Sequence, residues 1–104
     1  VTDERLIAEA GRRLAAATQG AEVILFGSYA RGDARPSSDL DLLVIEPEAP
    51  TPRAESARLR RELRELEVAL DVIVISRKQA DDLGKVPGTM VNEAFRTGRV
   101  LVRG

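Results

Sequence analysis

Three short apolar runs constrain this chain more than any other feature. They are Glu22-Val23-Ile24-Leu25-Phe26, the stretch Asp39 to Ile45, and Val72-Ile73-Val74-Ile75. Each is rich in strand-forming residues and too short for a core helix, so each reads as a strand. Between them the apolar spacing turns helical. Leu6, Ile7, Ala10 and Leu14 share one face of a first helix, capped by Thr2 or Asp3 and stopped by Gly20. Ala54 to Glu67 reads as another helix, with Leu59, Leu63, Leu66 and Leu70 recurring at four, three and four. Ser76 caps a short helix through Leu83, and Pro87-Gly88 breaks the chain. Met90, Val91, Ala94 and Phe95 then share a helical face that Gly98 ends, and Val100-Leu101-Val102 reads as a short edge strand. Glu46 to Pro52 holds three of the five prolines and reads as an exposed loop. Strands alternating with helices imply a single α/β domain over residues 1–104, with a small mixed sheet of three to four strands flanked by helices.

Missing residue types narrow the chemistry. The chain has no Cys and no His. That excludes a disulfide framework, thiolate zinc, a thiol nucleophile and every triad built on imidazole. Acid, base and ligand roles fall to Asp, Glu, Lys, Tyr, Ser and Thr, and oxygen ligands select hard cations such as magnesium or manganese. Sixteen basic against seventeen acidic residues leave a net charge of −1. No general attraction to nucleic acid or an anionic membrane is expected from that balance. The only aromatic residues, Phe26, Tyr29 and Phe95, make no stacking platform for single strands. No apolar run reaches membrane-spanning length and Val1 to Thr18 is too charged for a signal peptide, so the expected setting is the cytoplasm.

One stretch carries chemistry: Gly27-Ser28, ten residues, then Asp39-Leu40-Asp41. Strand side chains alternate faces, so Asp39 and Asp41 project from the same one. Carboxylates held that close repel, and a divalent cation between them relieves the repulsion. Two such cations can clamp the oxygens of an in-line phosphoryl displacement. Gly27 has no side chain to keep a phosphate from the backbone. Ser28 adds a hydroxyl, and a helical turn begun there aims N–H groups at the anion. Arg31 and Arg35 lie in the same turn, within reach of a polyphosphate. The turn returns Asp39 to Ser28 only if the second strand runs antiparallel to the first. Asp71 is the best third carboxylate, because it opens the third strand as Asp39 opens the second. Both starts lie at one sheet edge if those two strands are parallel, and Glu46 to Leu70 is long enough for a right-handed helical crossover.

The run Gly27-Ser28-Tyr29-Ala30-Arg31-Gly32-Asp33-Ala34-Arg35-Pro36-Ser37-Ser38-Asp39-Leu40-Asp41-Leu42-Leu43-Val44 resembles the signature of the minimal nucleotidyltransferases. Those are the smallest members of the DNA polymerase beta-like nucleotidyltransferase superfamily. The resemblance implies that Asp39 and Asp41 bind two magnesium ions, and that Asp71 holds the catalytic one and helps deprotonate the acceptor hydroxyl. It implies that Gly27 and Ser28 cradle the β- and γ-phosphates; Arg31 is read from its place in the turn as a further nucleotide contact, with a plain surface charge as the alternative. The implied reaction is attack of a hydroxyl on the α-phosphorus of ATP, leaving AMP attached and releasing pyrophosphate. Where many relatives carry a basic residue, this chain has Tyr29.

Larger antibiotic-modifying relatives append a helical domain, for which 104 residues leave no room. Members of the minimal family often pair with a HEPN-type ribonuclease toxin and silence it, in some cases by adenylylating a tyrosine on it. The resemblance therefore implies an antitoxin in a hetero-oligomer with such a toxin, and leaves a homodimer open. Neutralisation by binding alone, or nucleotidylation of a small-molecule antibiotic, are the alternatives. Plainer readings stand beside these. An isolated Asp-x-Asp is usually a turn and cap. Glu67 rivals Asp71 from a charged helical face, Asp81 and Asp82 read as exposed helix residues, and Tyr29 as a packing residue. Arg58–Glu62 and Arg61–Glu65 read as solvent-facing ion pairs. Leu59, Leu63 and Leu66 read as core before any dimer interface.

Overall fold

A computed structural model gives the structure of the protein and describes residues 3–104. Its elements are α1 (Asp3–Ala17), β1 (Glu22–Phe26), α2 (Ser28–Arg31), β2 (Leu40–Glu46), α3 (Pro52–Glu62), β3 (Leu70–Ser76), α4 (Arg77–Leu83), α5 (Met90–Thr97) and β4 (Arg99–Val102), with a 3-10 turn at Arg64–Leu66. Thr2, the alternative cap of α1, lies outside the described residues. The sheet is mixed, in the order β3-β2-β1-β4. β1 runs antiparallel to β2, as the return of Asp39 toward Ser28 required, and to β4, while β2 runs parallel to β3, as a shared edge for Asp39 and Asp71 required.

Each face of the sheet is buried by a different pair of helices. Ile7, Ala10 and Leu14 of α1 and Leu59 and Leu63 of α3 pack on Val23, Leu25, Leu42, Val44, Val72 and Val74. Ala80 of α4 and Val91 and Ala94 of α5 pack on Ile24, Phe26, Leu43, Ile45 and Ile75. Burial on both faces is why the strands read as continuous apolar runs without alternation. Truncating a fully buried leucine such as Leu42 or Leu43 to alanine is worth about 2–5 kcal/mol. α4 starts on a capping box, with Ser76 Oγ accepting from Gln79 N and the Gln79 side chain accepting from Ser76 N.

The chain departs from its sequence reading mainly around α3. The helix begins earlier, at Pro52, a residue suited to a first helical turn, and ends at Glu62 instead of Glu67. The 3-10 turn follows, and Glu67, at φ 53°, reverses the chain into β3. Leu70 therefore belongs to β3, so the leucine spacing runs through two different elements. The early stop also breaks the expected ion pairs. Glu65 lies beyond the helix and meets Arg13 of α1 at 3.0 Å, while Arg58 turns back to Glu55. β2 in turn runs one residue further than expected, through Glu46.

That extra residue meets α3. Arg58 grips Glu55 with two hydrogen bonds of 2.8 Å and donates a third, also 2.8 Å, to the carbonyl of Ala17. Glu46 lies against the same carboxylate. Burial first, then the hydrogen bond and repulsion from Glu55, push its pKa up to about 7, whereas Arg58 and that same hydrogen bond hold Glu55 at about 2. Glu46 thus keeps a proton in the folded state that the unfolded chain has released. Stability falls as pH rises from the ordinary glutamate value through about 7. Glu46→Gln, which keeps a donor toward Glu55 without the charge, is expected to raise the thermal midpoint by a few degrees at alkaline pH. The gain should vanish in mildly acidic buffer, a difference that circular dichroism melts at the two conditions will read.

Candidate active site

The residues singled out by spacing gather at one end of the sheet, where β1 finishes and β2 and β3 begin. Register does the gathering. Asp41 is directly opposite Phe26, the last residue of β1, and it is the parallel partner of Asp71. Asp41 and Asp71 continue the sheet face that Leu43 and Ile73 present to α4 and α5, one step beyond the apolar cover. Asp39 sits just before β2, and Asp71 is the second residue of β3 instead of its first. The partner of Asp71 across the ladder is therefore Asp41 and not Asp39. Asp39 and Asp71 are exposed and Asp41 is half-buried.

Asp41 feels its neighbours. Its pKa is raised first by burial, then by repulsion from Asp71 and from Asp39, and the positive charge of Arg31 offsets part of the rise. Arg31 is exposed and lies 3.5 Å from Asp33, so its charge reaches the cluster from the last residue of α2. Among the described residues, none of the three aspartates has an ion-pair partner within 4 Å, whereas Glu9, Glu22 and Glu55 each hold an arginine. The three do not close into a preformed metal cage. Like charges with no counter-ion between them have no reason to converge.

Gly27 explains how Asp41 fits. The glycine stands at φ 76°, a left-handed conformation that disfavours side chains. A Cβ built there would fall on the Asp41 carboxylate, whose Cγ is only 3.1 Å away. The room expected for a phosphate is therefore first the room that admits this carboxylate. Ser28 follows as the first residue of α2, partly buried, and its hydroxyl makes no hydrogen bond to a described residue. Gly27 O accepts from Ala30 N and Arg31 N, both at 3.1 Å, and these bonds hold the turn in place.

The remaining sequence candidates separate from this cluster. Tyr29 packs against the core beneath α1, as a packing residue should. Arg35 is exposed, and its backbone N donates to Ser38 Oγ in the connecting turn. Glu67 faces a groove beside Tyr29 and Leu66. Asp81 and Asp82 pair with Arg77 and Lys78 on the surface of α4. Sequence reasoning missed the contact between Gly27 and Asp41, because opposition across two strands is set by register alone.

A family model for the nucleotidyltransferase domain matches residues 5–96 of the 104. The chain belongs to the nucleotidyltransferase domain family. That span includes α1 to α5 almost entire, and with them every aspartate of the cluster. A comparison with curated proteins gives no match. Among the described residues no helix is long and apolar enough to cross a membrane.

The donor set suits a hard divalent cation. Three carboxylates supply oxygen ligands, and their mutual repulsion at Asp41 is what a bound cation relieves. Gly27→Ala is the sharpest check on this local geometry. It should cost about 1–3 kcal/mol in urea unfolding, from the left-handed backbone and the clash with Asp41 together. It should also abolish nucleotide transfer, whereas Gly32→Ala, whose Cβ would meet nothing within 4 Å, should keep transfer while showing only the backbone cost.

Proposed function

We infer that this protein transfers a nucleotidyl group from a nucleoside triphosphate, ATP above all, to a hydroxyl acceptor. The observation that carries this reading is the register that sets Asp41 beside Asp71 and against Gly27. Asp39, Asp41 and Asp71 would hold two divalent cations of the magnesium class. When bound, those cations supply the positive charge that gathers the triphosphate and the attacking oxygen. Gly27 and Ser28 open the turn that receives the β- and γ-phosphates, and the unengaged Ser28 hydroxyl is a donor for them. Arg31 adds positive charge on the phosphate side. The acceptor oxygen forms a bond to the α-phosphorus as the bond to the bridging oxygen breaks. Pyrophosphate leaves, and the acceptor's proton passes to Asp71. Asp71 suits that task because it is exposed on an edge strand, where an acceptor arrives without crossing the domain.

The acceptor that the family resemblance favours is a tyrosine hydroxyl on a HEPN-type ribonuclease toxin. This chain would then act as its antitoxin in a cytoplasmic hetero-oligomer. An exposed catalytic edge fits a macromolecular acceptor better than a small molecule that needs enclosure. Intact-mass spectrometry of the chain with its co-purified partner, with and without magnesium and ATP, tests the reading. An adenylyl gain on the partner is expected. Asp39→Asn and Asp41→Asn should each lower its rate on the order of a thousandfold while leaving the complex intact. A stable, neutralised partner with no gain would replace transfer by neutralisation through binding. A gain on an aminoglycoside with none on protein would reassign the acceptor.

A further inference from the structure

We propose that the groove between α3 and the free edge of β3 docks an extended, acidic segment of the acceptor protein. β3 is an edge strand, with β2 on one side and no strand among the described residues on the other. Its ladder shows which groups face outward. Leu40 N donates to Ala69 O, whereas the carbonyl of Val72 takes the hydroxyl of Ser56 on α3. Alternate residues of β3 thus aim their backbone groups toward the groove and away from β2.

Two adjoining concavities of about 470 and 370 Å³ line this edge and share Arg60. Val68, Leu70 and Ile73, each half-buried, are the apolar side chains open to it, whereas Val72 and Val74 are closed off in the core, and Arg53, Arg60, Arg61 and Arg64 form the rim. None of these four guanidinium groups has a hydrogen bond or ion pair to a described residue. By contrast, Arg13, Arg58, Arg77 and Arg99 are all engaged. In a chain of net charge −1, four unengaged guanidinium groups over one open strand mark a localised anionic complement. A strand edge with half-buried apolar neighbours fits a peptide that adds as a strand. Its side chains on the α3 face would meet the arginines, so acidic residues suit them, and the alternate apolar ones would fall on the opposite face beside Ile73. RNA fits less well, because no aromatic side chain lines the groove on which a base would stack.

The groove leads to the cluster. Its Leu70 end adjoins Asp71, so a segment paired along β3 carries its hydroxyl residues past the exposed carboxylate. As an acceptor track the groove rests on the transfer reading, but as a binding surface it stands independently.

The test is fluorescence anisotropy on the full chain without nucleotide. The probe is a labelled pool of peptides about twelve residues long, longer than the seven-residue strand. Glu occupies alternate positions, with Val or Tyr between. Binding is expected to weaken with salt and to fall about tenfold or more in the Arg60→Glu, Arg64→Glu double variant. N-methylation of alternate peptide amides should abolish it, and hydrogen exchange should slow at 70–74. No binding, equal binding by the double variant, or protection elsewhere would overturn the groove. Binding of a uridine-rich RNA in preference to the peptides, lost in the same variant, would also overturn it and make this a nucleic-acid face. Asp39→Asn should bind the peptides as the natural chain does. Failed transfer therefore leaves the groove readable, and a failed groove leaves the aspartate cluster standing.

Discussion

The parallel register of β2 on β3 is the constraint on which the rest depends. It aligns Leu43 with Ile73 and Ile45 with Ile75 to build the core beneath α4 and α5. Continued two residues toward the strand starts, the same alignment sets Asp41 beside Asp71. A slip by one residue would turn Asp71 to the α1–α3 face and Val72 out of it, with loss of core and cluster together. One hydrophobic match therefore positions both. The apolar residues supply the stabilisation, and the aspartates are carried by it into a proximity that they oppose.

That opposition distinguishes the two carboxylate clusters of the molecule. At the far end of β2, Glu46 and Glu55 meet as closely as like charges do, but Arg58 neutralises one and a retained proton the other. At the near end, among the described residues, Asp39, Asp41 and Asp71 have no such partner, and of the positive charges that of Arg31 reaches Asp41. That the fold neutralises one cluster internally and leaves the other uncompensated is what supports the proposed cation site. Unrelieved charge at a functional site, held by stability supplied elsewhere, is the usual compromise between activity and stability.

Much of this was legible from residue order. β1 matches its apolar run residue for residue, the need for Asp39 to return to Ser28 implied the antiparallel pairing, and the need for Asp71 to share its edge implied the parallel one. The motif spacing also pointed to the family. What could not be read depended on groups distant in sequence. The end of α3 at Glu62 follows from the way Glu67 turns the chain into β3, against which the leucine periodicity gives no warning. Arg13 meeting Glu65 and Arg58 meeting Ala17 O are tertiary choices that displaced the local pairs expected from spacing of four. Gly27 was read as room for a phosphate, and residue order gave no sign that its missing side chain also admits the Asp41 carboxylate across the ladder.

The most direct measurement of the central claim is thermal unfolding of the natural chain and of Asp41→Asn, each with and without magnesium at neutral pH. Because Asp41 is raised above the ordinary aspartate value, its ionised form opposes folding there. Without the ion, the variant is predicted to melt higher than the natural chain. Added magnesium should raise the natural chain's midpoint by mass action and leave the variant's almost unmoved. A variant no more stable than the natural chain, together with a natural chain indifferent to magnesium, would contradict the assignment of this cluster as a cation site.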